Sequence, residues 1–399
     1  MLVAFADVAS AHPPIDALQV EGIEGKDDEI AELLPRPLPT VLTDDEITEL
    51  TRRINNLELF DSVDVERRGH VLWIRVRRKF VWTPIFEFST GQTLADTSGT
   101  IGAVNNDVDG HASRLSIEVG YDERRPRFAI SLFEHSYRPR SWQNEYEAYY
   151  TGSSVRFGAD ADPSWIRNRL GGTVVFLSPT RYGTPFRFEL QFEGYRELVT
   201  DVESAGSPRD GTYAGVANEF IYDRYRWNDL VPKGFFAALE ARPGAFIGPA
   251  EPRHEVRLST KTALPIADKT VLVLATYGAA VNAGNPNHSV LVGSQRGVRG
   301  LEDSLYRTRA ATWANVELRH AIEIASRWYI QGVLFSDAAV FEPMDAGGHA
   351  TPWQGAWSTG AGLRLLPTAL VDTLLRVDGS RLHYPFGAWF VQFGITQYI

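Results

Sequence analysis

"FRFELQFE", Phe186 to Glu193, alternates without a break. Phe186, Phe188, Leu190 and Phe192 fall on one side, and Arg187, Glu189, Gln191 and Glu193 on the other. A period of two is the mark of a β-strand with one apolar and one polar face. "RLSIEVGY" repeats the pattern, with Leu115, Ile117, Val119 and Tyr121 against Arg114, Ser116, Glu118 and Gly120. It continues through "HEVRLSTKTAL", "KTVLVLATYGA", "ANVELRH", "GAGLRLL" and "WFVQFGITQYI".

Such strands suit two architectures. A soluble β-sandwich or propeller would turn the apolar faces inward. A transmembrane barrel would turn them outward to lipid and keep the charged faces around a lumen. The heavily charged polar faces, the aromatic apolar faces and a final strand that reaches the last residue favour the barrel. Residues 80–399 hold about 16 strands at roughly 20 residues per strand and connection.

Before Phe80 the period changes. Residues 15–79 read as β-α-α-β-β. "ALQVEGIEG" is a short strand, and "DDEIAELL" opens a helix that ends before Pro35. In "TDDEITELTRRINNLELF", Thr43 and Glu46 have capping-box spacing. Ile47, Leu50, Ile54 and Leu57 then form one apolar helical face. "DSVDVERRG" and "HVLWIRVRRK" form a hairpin, with Val63 and Val65 on one side and Leu72, Ile74 and Val76 on the other. Residues 1–14, "MLVAFADVASAHPP", read as a leader remnant or a disordered N-terminus.

Composition narrows the function classes. A net charge of −10 argues against general nucleic-acid binding, and the absence of cysteine excludes disulfides and thiolate metal sites. No apolar run is long enough for a membrane helix, and the mean hydropathy of −0.20 suits a barrel as well as a soluble fold. No HExxH, GxSxG or phosphate-binding Gly-Lys loop is present, so neither an enzyme, a cofactor nor a bound metal is expected.

One charged stretch stands apart: "GSQRGVRGLEDSLYRTR", Gly293 to Arg309. Arg299 sits directly before Gly300, where the backbone can turn and aim a side chain. With the following strand, this stretch resembles the sixth extracellular loop of the BamA/TamA superfamily of outer-membrane assembly and secretion factors. That family carries a Val-Arg-Gly-aromatic motif, matched here by Val298, Arg299, Gly300 and Leu301. Further similarities follow in the same order. "YDRYRWNDLVPKG" supplies Asp223, Pro232 and Gly234, and "GVLFSDAAVF" supplies Phe335 and Asp337. "STGAGLRLLP" looks like the next strand, and the last strand resembles the family's closing signal, with Phe393, Gly394, Tyr398 and Ile399. Residues 15–79 look like a single POTRA domain. Leu301, Ala339 and Ile399 depart from the family's usual aromatic, glycine and terminal aromatic.

The resemblance implies that the loop at 283–309 folds back into the lumen. Arg299 then needs an acid, because an unpaired charge in a confined cavity is costly. Glu317 and Asp337 are the candidates. If they face the lumen, Val316 and Leu318 face lipid. The resemblance further implies an outer membrane with the POTRA-like domain in the periplasm. Its implied partners are outer-membrane lipid, a client outer-membrane or secreted polypeptide, and a periplasmic chaperone or accessory protein. The expected activity is insertion of outer-membrane proteins or polypeptide translocation, by strand pairing at the seam between first and last strands. Gly394 is expected to weaken that seam. A dedicated two-partner-type secretion pore and a client-free structural or lipid-handling barrel are the alternatives.

Overall fold

The computed structural model describes residues 13–23, 27–55, 57, 59–78, 80–89, 98–110, 113–122, 125–134, 142–155, 157, 165–179, 184–200, 210–228, 231–247, 251–282, 284–293, 297–301, 306–325, 328–367 and 373–397. Residues 1–12, and with them most of the leader reading, lie outside this set, as do Tyr398 and Ile399.

The N-terminal unit contains β1 (Ala17–Glu21), α1 (Asp27–Glu32), α2 (Asp44–Asn55), β2 (Phe60–Arg68) and β3 (Val71–Arg78). Its sheet order is β1-β3-β2, with β1 parallel and β2 antiparallel to β3. The capping box forms: Thr43 N donates to Glu46 Oε2 at 2.9 Å, and Glu46 N donates to Thr43 Oγ1 at 3.2 Å. Leu50 and Ile54 from α2 meet Leu72, Ile74 and Val76 from β3 in one buried core, with Ile47, Val63 and Val65 packed at its edge. Val63 pairs with Val76 and Val65 with Ile74, so the hairpin's apolar residues share one face against the helix.

Glu49 on α2 accepts from Arg52 Nε at 2.7 Å and from Arg53 Nε at 3.2 Å. Burial alone would raise its pKa, but these two guanidinium groups outweigh it and hold the carboxyl below its ordinary value. A carboxyl with a depressed folded pKa stabilises above its unfolded pKa, and that contribution is lost as pH falls through the folded value. Amide exchange in α2 is therefore expected to quicken as pH drops below about 4, after correction for intrinsic rates. Glu49→Gln should remove that pH dependence.

The larger part of the chain is a closed barrel. Its first strands are β4 (Trp82–Ser89), β5 (Ser98–Asn105), β6 (Arg114–Asp122), β7 (Arg125–Phe133), β8 (Gln143–Val155) and β9 (Trp165–Leu177). Next come β10 (Phe186–Thr200), β11 (Gly211–Asp223), the short β12 (Arg226–Asn228), β13 (Val231–Ile247), β14 (Glu251–Ala267) and β15 (Thr270–Val281). The last are the short β16 (Val290–Val292), β17 (Tyr306–Ala325), β18 (Trp328–Pro343), β19 (Gln354–Pro367), β20 (Thr373–Tyr384) and β21 (Ala388–Gln397). The ring pairs with a defined register are all antiparallel, and the two short strands double up beside β13 and β17, leaving sixteen long strands in the ring among the described residues. This agrees with the number expected from chain length.

The side-chain alternation explains the closure. Phe186, Phe192, Phe220, Leu239, Leu258, Val316, Leu318, Leu334 and Val391 are all exposed on the outside. The intervening polar residues turn inward and pair. Arg242 binds Glu240 and Glu193, and Arg257 binds Glu240 and Glu255, so charges alternate across neighbouring strands. An apolar exterior around a polar, charge-compensated interior is the architecture of a transmembrane β-barrel. With an even number of strands, β4 begins and β21 ends on the same side as the N-terminal unit. The connection from β15 to β17 therefore hangs from the opposite rim.

Candidate functional site

That connection turns into the lumen, and the structure brings its arginine to the two acids named from the sequence. Arg299 is 6% exposed, Glu317 8% and Asp337 0%. Arg299 donates from Nε to Asp337 Oδ2 and from Nη2 to Asp337 Oδ1, both at 2.7 Å. This is a bidentate fork, the geometry a planar guanidinium makes and an ammonium does not. Its remaining nitrogen, Nη1, donates to Glu317 Oε1 at 2.8 Å. The backbone N–H of Arg299 also donates to Asp337 Oδ2, at 3.1 Å. The guanidinium carbon lies 3.5 Å from the centre of the Phe335 ring, which covers the pair from one side.

Neighbouring side chains complete the arrangement. Asn315 Nδ2 donates to Gly297 O and to Asp337 Oδ1, both at 2.8 Å, tying loop and wall together. Glu317 accepts from Arg319 at 2.6 Å and from Arg364 Nη2 at 2.9 and 3.0 Å. Gly297 and Gly300 both adopt positive φ, as the tight turns on either side of Arg299 require. Val298 is fully buried, and Leu301 is 3% exposed in a cluster with Phe341, Ala339 and Leu382. Leu301 and Ala339, two of the three departures from the pattern the sequence resembles, thus meet in one apolar contact region.

Sequence reasoning missed a second anchor. A 3-10 turn at Pro286–His288 packs against the far wall. Trp165 Nε1 donates to Asn287 Oδ1 at 2.8 Å, and Arg167 Nη1 donates to Asn287 O at 2.8 Å. Asn287 Nδ2 in turn donates to Glu197 Oε1 at 2.9 Å, while Arg169 Nε binds the other oxygen of Glu197 at 2.7 Å. His288 stacks on Phe246 with ring centres 4.1 Å apart. From β9 to β18 is seven places round the sixteen-strand ring, so the loop is fastened to nearly opposite walls.

The seam lies between β21 and β4. Gly394 does not kink the closing strand: the β20–β21 register runs unbroken through Arg376 and Gly394. The glycine instead makes room, since a Cβ there would lie 3.1 Å from Arg376 Nε. Another residue at the seam, Pro84 on β4, was not singled out by sequence reasoning. Asn106 N donates to Val81 O at 2.9 Å, which makes Val81 and Asn106 a hydrogen-bonded pair in the β4–β5 register. Such pairs alternate along an antiparallel ladder. Thr83 and Ile85 therefore bond to β5, and the backbone of Trp82, Pro84 and Phe86 faces β21. Proline has no N–H, so one seam position lacks its donor. Phe393 is 53% exposed on the outer face of β21.

No family model matches the chain, and no curated protein matches it. Solved structures do resemble it. CdiB from Escherichia coli is 12% identical, with 96% of this chain and 76% of that one covered and a TM-score of 0.68. CdiB from Acinetobacter baumannii is 14% identical, with coverage of 96% and 73% and a TM-score of 0.65. BamA from Haemophilus ducreyi lacking POTRA domains 1–3 is 12% identical, with coverage of 96% and 84% and a TM-score of 0.58. A closed sixteen-strand ring, a small N-terminal unit and an inward loop are thus set in a fold similar to that of the BamA and CdiB barrels.

Proposed function

We propose that this chain is an outer-membrane protein that inserts or assembles other outer-membrane proteins, without enzymatic chemistry, by offering clients a strand edge at the β21–β4 seam. The reading sets its N-terminal unit in the periplasm as a single POTRA-type domain that meets the client first. Outer-membrane lipid surrounds the barrel, and a periplasmic chaperone or accessory protein delivers the polypeptide.

The observation that carries this reading is Pro84. Within sheets, proline is tolerated at strand edges because it cannot donate to a ladder. The phase of β4 puts its missing N–H on the seam side, so β4 has one donor fewer to offer β21 than an uninterrupted strand would have. A parted seam leaves N–H and C=O groups that need partners in lipid, and an incoming strand can supply them. The doubly fastened loop also favours the seam over the lumen, because a polypeptide using the lumen would have to displace both anchors.

The test is reconstitution. A urea-unfolded eight-stranded outer-membrane barrel is diluted into lipid vesicles with or without the protein. Folding, followed by resistance to cold detergent gel buffer, is expected to be faster in the loaded vesicles. Equal rates in the two vesicle preparations would remove the proposal. Ion conductance with transport of an unfolded chain to the vesicle interior would instead support a secretion pore.

A further inference from the structure

The loop tip reaches beyond the β17–β18 wall to the two strands that end at the seam. Arg299 Nη1 lies 3.7 Å from Asp378 Oδ2 on β20. Asp378 is 1% exposed, and neither carboxylate oxygen has a hydrogen-bond partner among the described residues. Arg376 Nε is also near, 3.9 Å from the same oxygen. Gly300 follows with φ +95°, and a Cβ there would lie 3.0 Å from Phe390 Cδ2 on β21 and 3.0 Å from Ser380 Oγ on β20. Val298 and Leu301 flank this contact, in one cluster with Leu382 of β20 and Phe390 of β21.

We infer that the loop tip is a latch on the seam: seated, it holds β20 and β21 in the closed ring, and withdrawn, it lets β21 part from β4. This rests on the seam reading above and adds the element that controls it. The physical case has two parts. Asp378 is a buried carboxylate without hydrogen bonds among the described residues, so it depends on nearby cations, and charge interactions are stronger in a shielded interior than in water. Withdrawing Arg299 takes away the nearer of the two cations seen within 4 Å of it among the described residues, which destabilises β20 in its present seat. Gly300, for its part, allows the tip to lie against β21 so closely that any side chain there must displace Phe390 or the loop. Such coupling is reciprocal, so a closed seam must hold the loop as firmly as the loop holds the seam.

The test uses the full chain in detergent and reads amide hydrogen exchange segment by segment. Asp378→Asn keeps shape and removes the charge, and Gly300→Val pushes on Phe390. Both are expected to speed exchange in β21 by about 5- to 150-fold, the usual span of coupling between two sites. Exchange in β13 and β14 should stay unchanged, and the barrel should keep its heat-modifiable mobility. If Gly300→Val does not fold, Asp378→Asn carries the test alone. In the reciprocal arm, a disulfide across β4 and β21 should protect the loop from protease. Unchanged β21 exchange in folded Asp378→Asn, or loop cleavage indifferent to the disulfide, would overturn the latch. If exchange and protection respond as stated while the locked protein still folds clients at full speed, the latch stands and the seam function falls.

Discussion

Arg299→Ala is expected to unseat the loop and remove most client-folding activity while the barrel stays inserted. The arginine holds Asp337 through a bidentate fork and Glu317 through its remaining nitrogen, all in a buried setting. Removing one partner of a buried ion pair typically costs ~3–5 kcal/mol, whereas an exposed pair is worth about 0–1 kcal/mol. The two acids would not suffer equally. Glu317 keeps Arg319 and Arg364, but Asp337 keeps only Asn315 and the loop backbone among its observed partners. The coupling of Arg299 to Asp337 should therefore exceed its coupling to Glu317 in double-mutant cycles. Arg299→Lys should rescue little, because one ammonium cannot make the fork and reach Glu317 as well. Loop release is read by limited proteolysis between Val290 and Tyr306, and activity by the vesicle assay. Full activity in Arg299→Ala, or additive losses with Asp337→Ala, would reduce the arginine to a loop charge without this role.

Much of the fold was legible because a barrel writes its geometry into the chain at short range. Phe186 to Glu193 declares a two-faced strand with no help from distant residues. Leu50 and Ile54 declare a helix face in the same way. Whether the apolar face met lipid or a protein core was not a local question. Val316 and Leu318 are apolar in either architecture, and only ring closure makes them outward-facing.

The site was legible in one half. Arg299 sits beside a glycine and within 40 residues of both acids, on strands that pair with each other, so the grouping could be named. The second anchor could not. Asn287 meets Trp165 and Glu197, which lie 122 and 90 residues away, and no periodicity links them. Asp378 was hidden for another reason: it is one of many acids on inward faces, and only the loop's docked position brings it to Arg299. Pro84 was visible as a proline in "TPIF", but its meaning depends on the hydrogen-bond phase of β4, which the sequence does not carry. Gly394 was expected to weaken the seam, and the structure shows it in close contact with Arg376. A glycine in a strand can mark a kink or a space for a neighbour, and here it is the space for Arg376.

The central claim is that clients are handled at the seam, and a reversible lock on it tests that claim most directly. Phe86 on β4 and Val391 and Phe393 on β21 all face outward, and the chain has no cysteine of its own. Phe86→Cys combined in turn with Val391→Cys and with Phe393→Cys gives two candidate disulfides, and the pair that oxidises defines the lock. The oxidised protein is predicted to fold clients no faster than empty vesicles, and reduction is predicted to restore the full rate. A locked protein as fast as its reduced form would contradict the account.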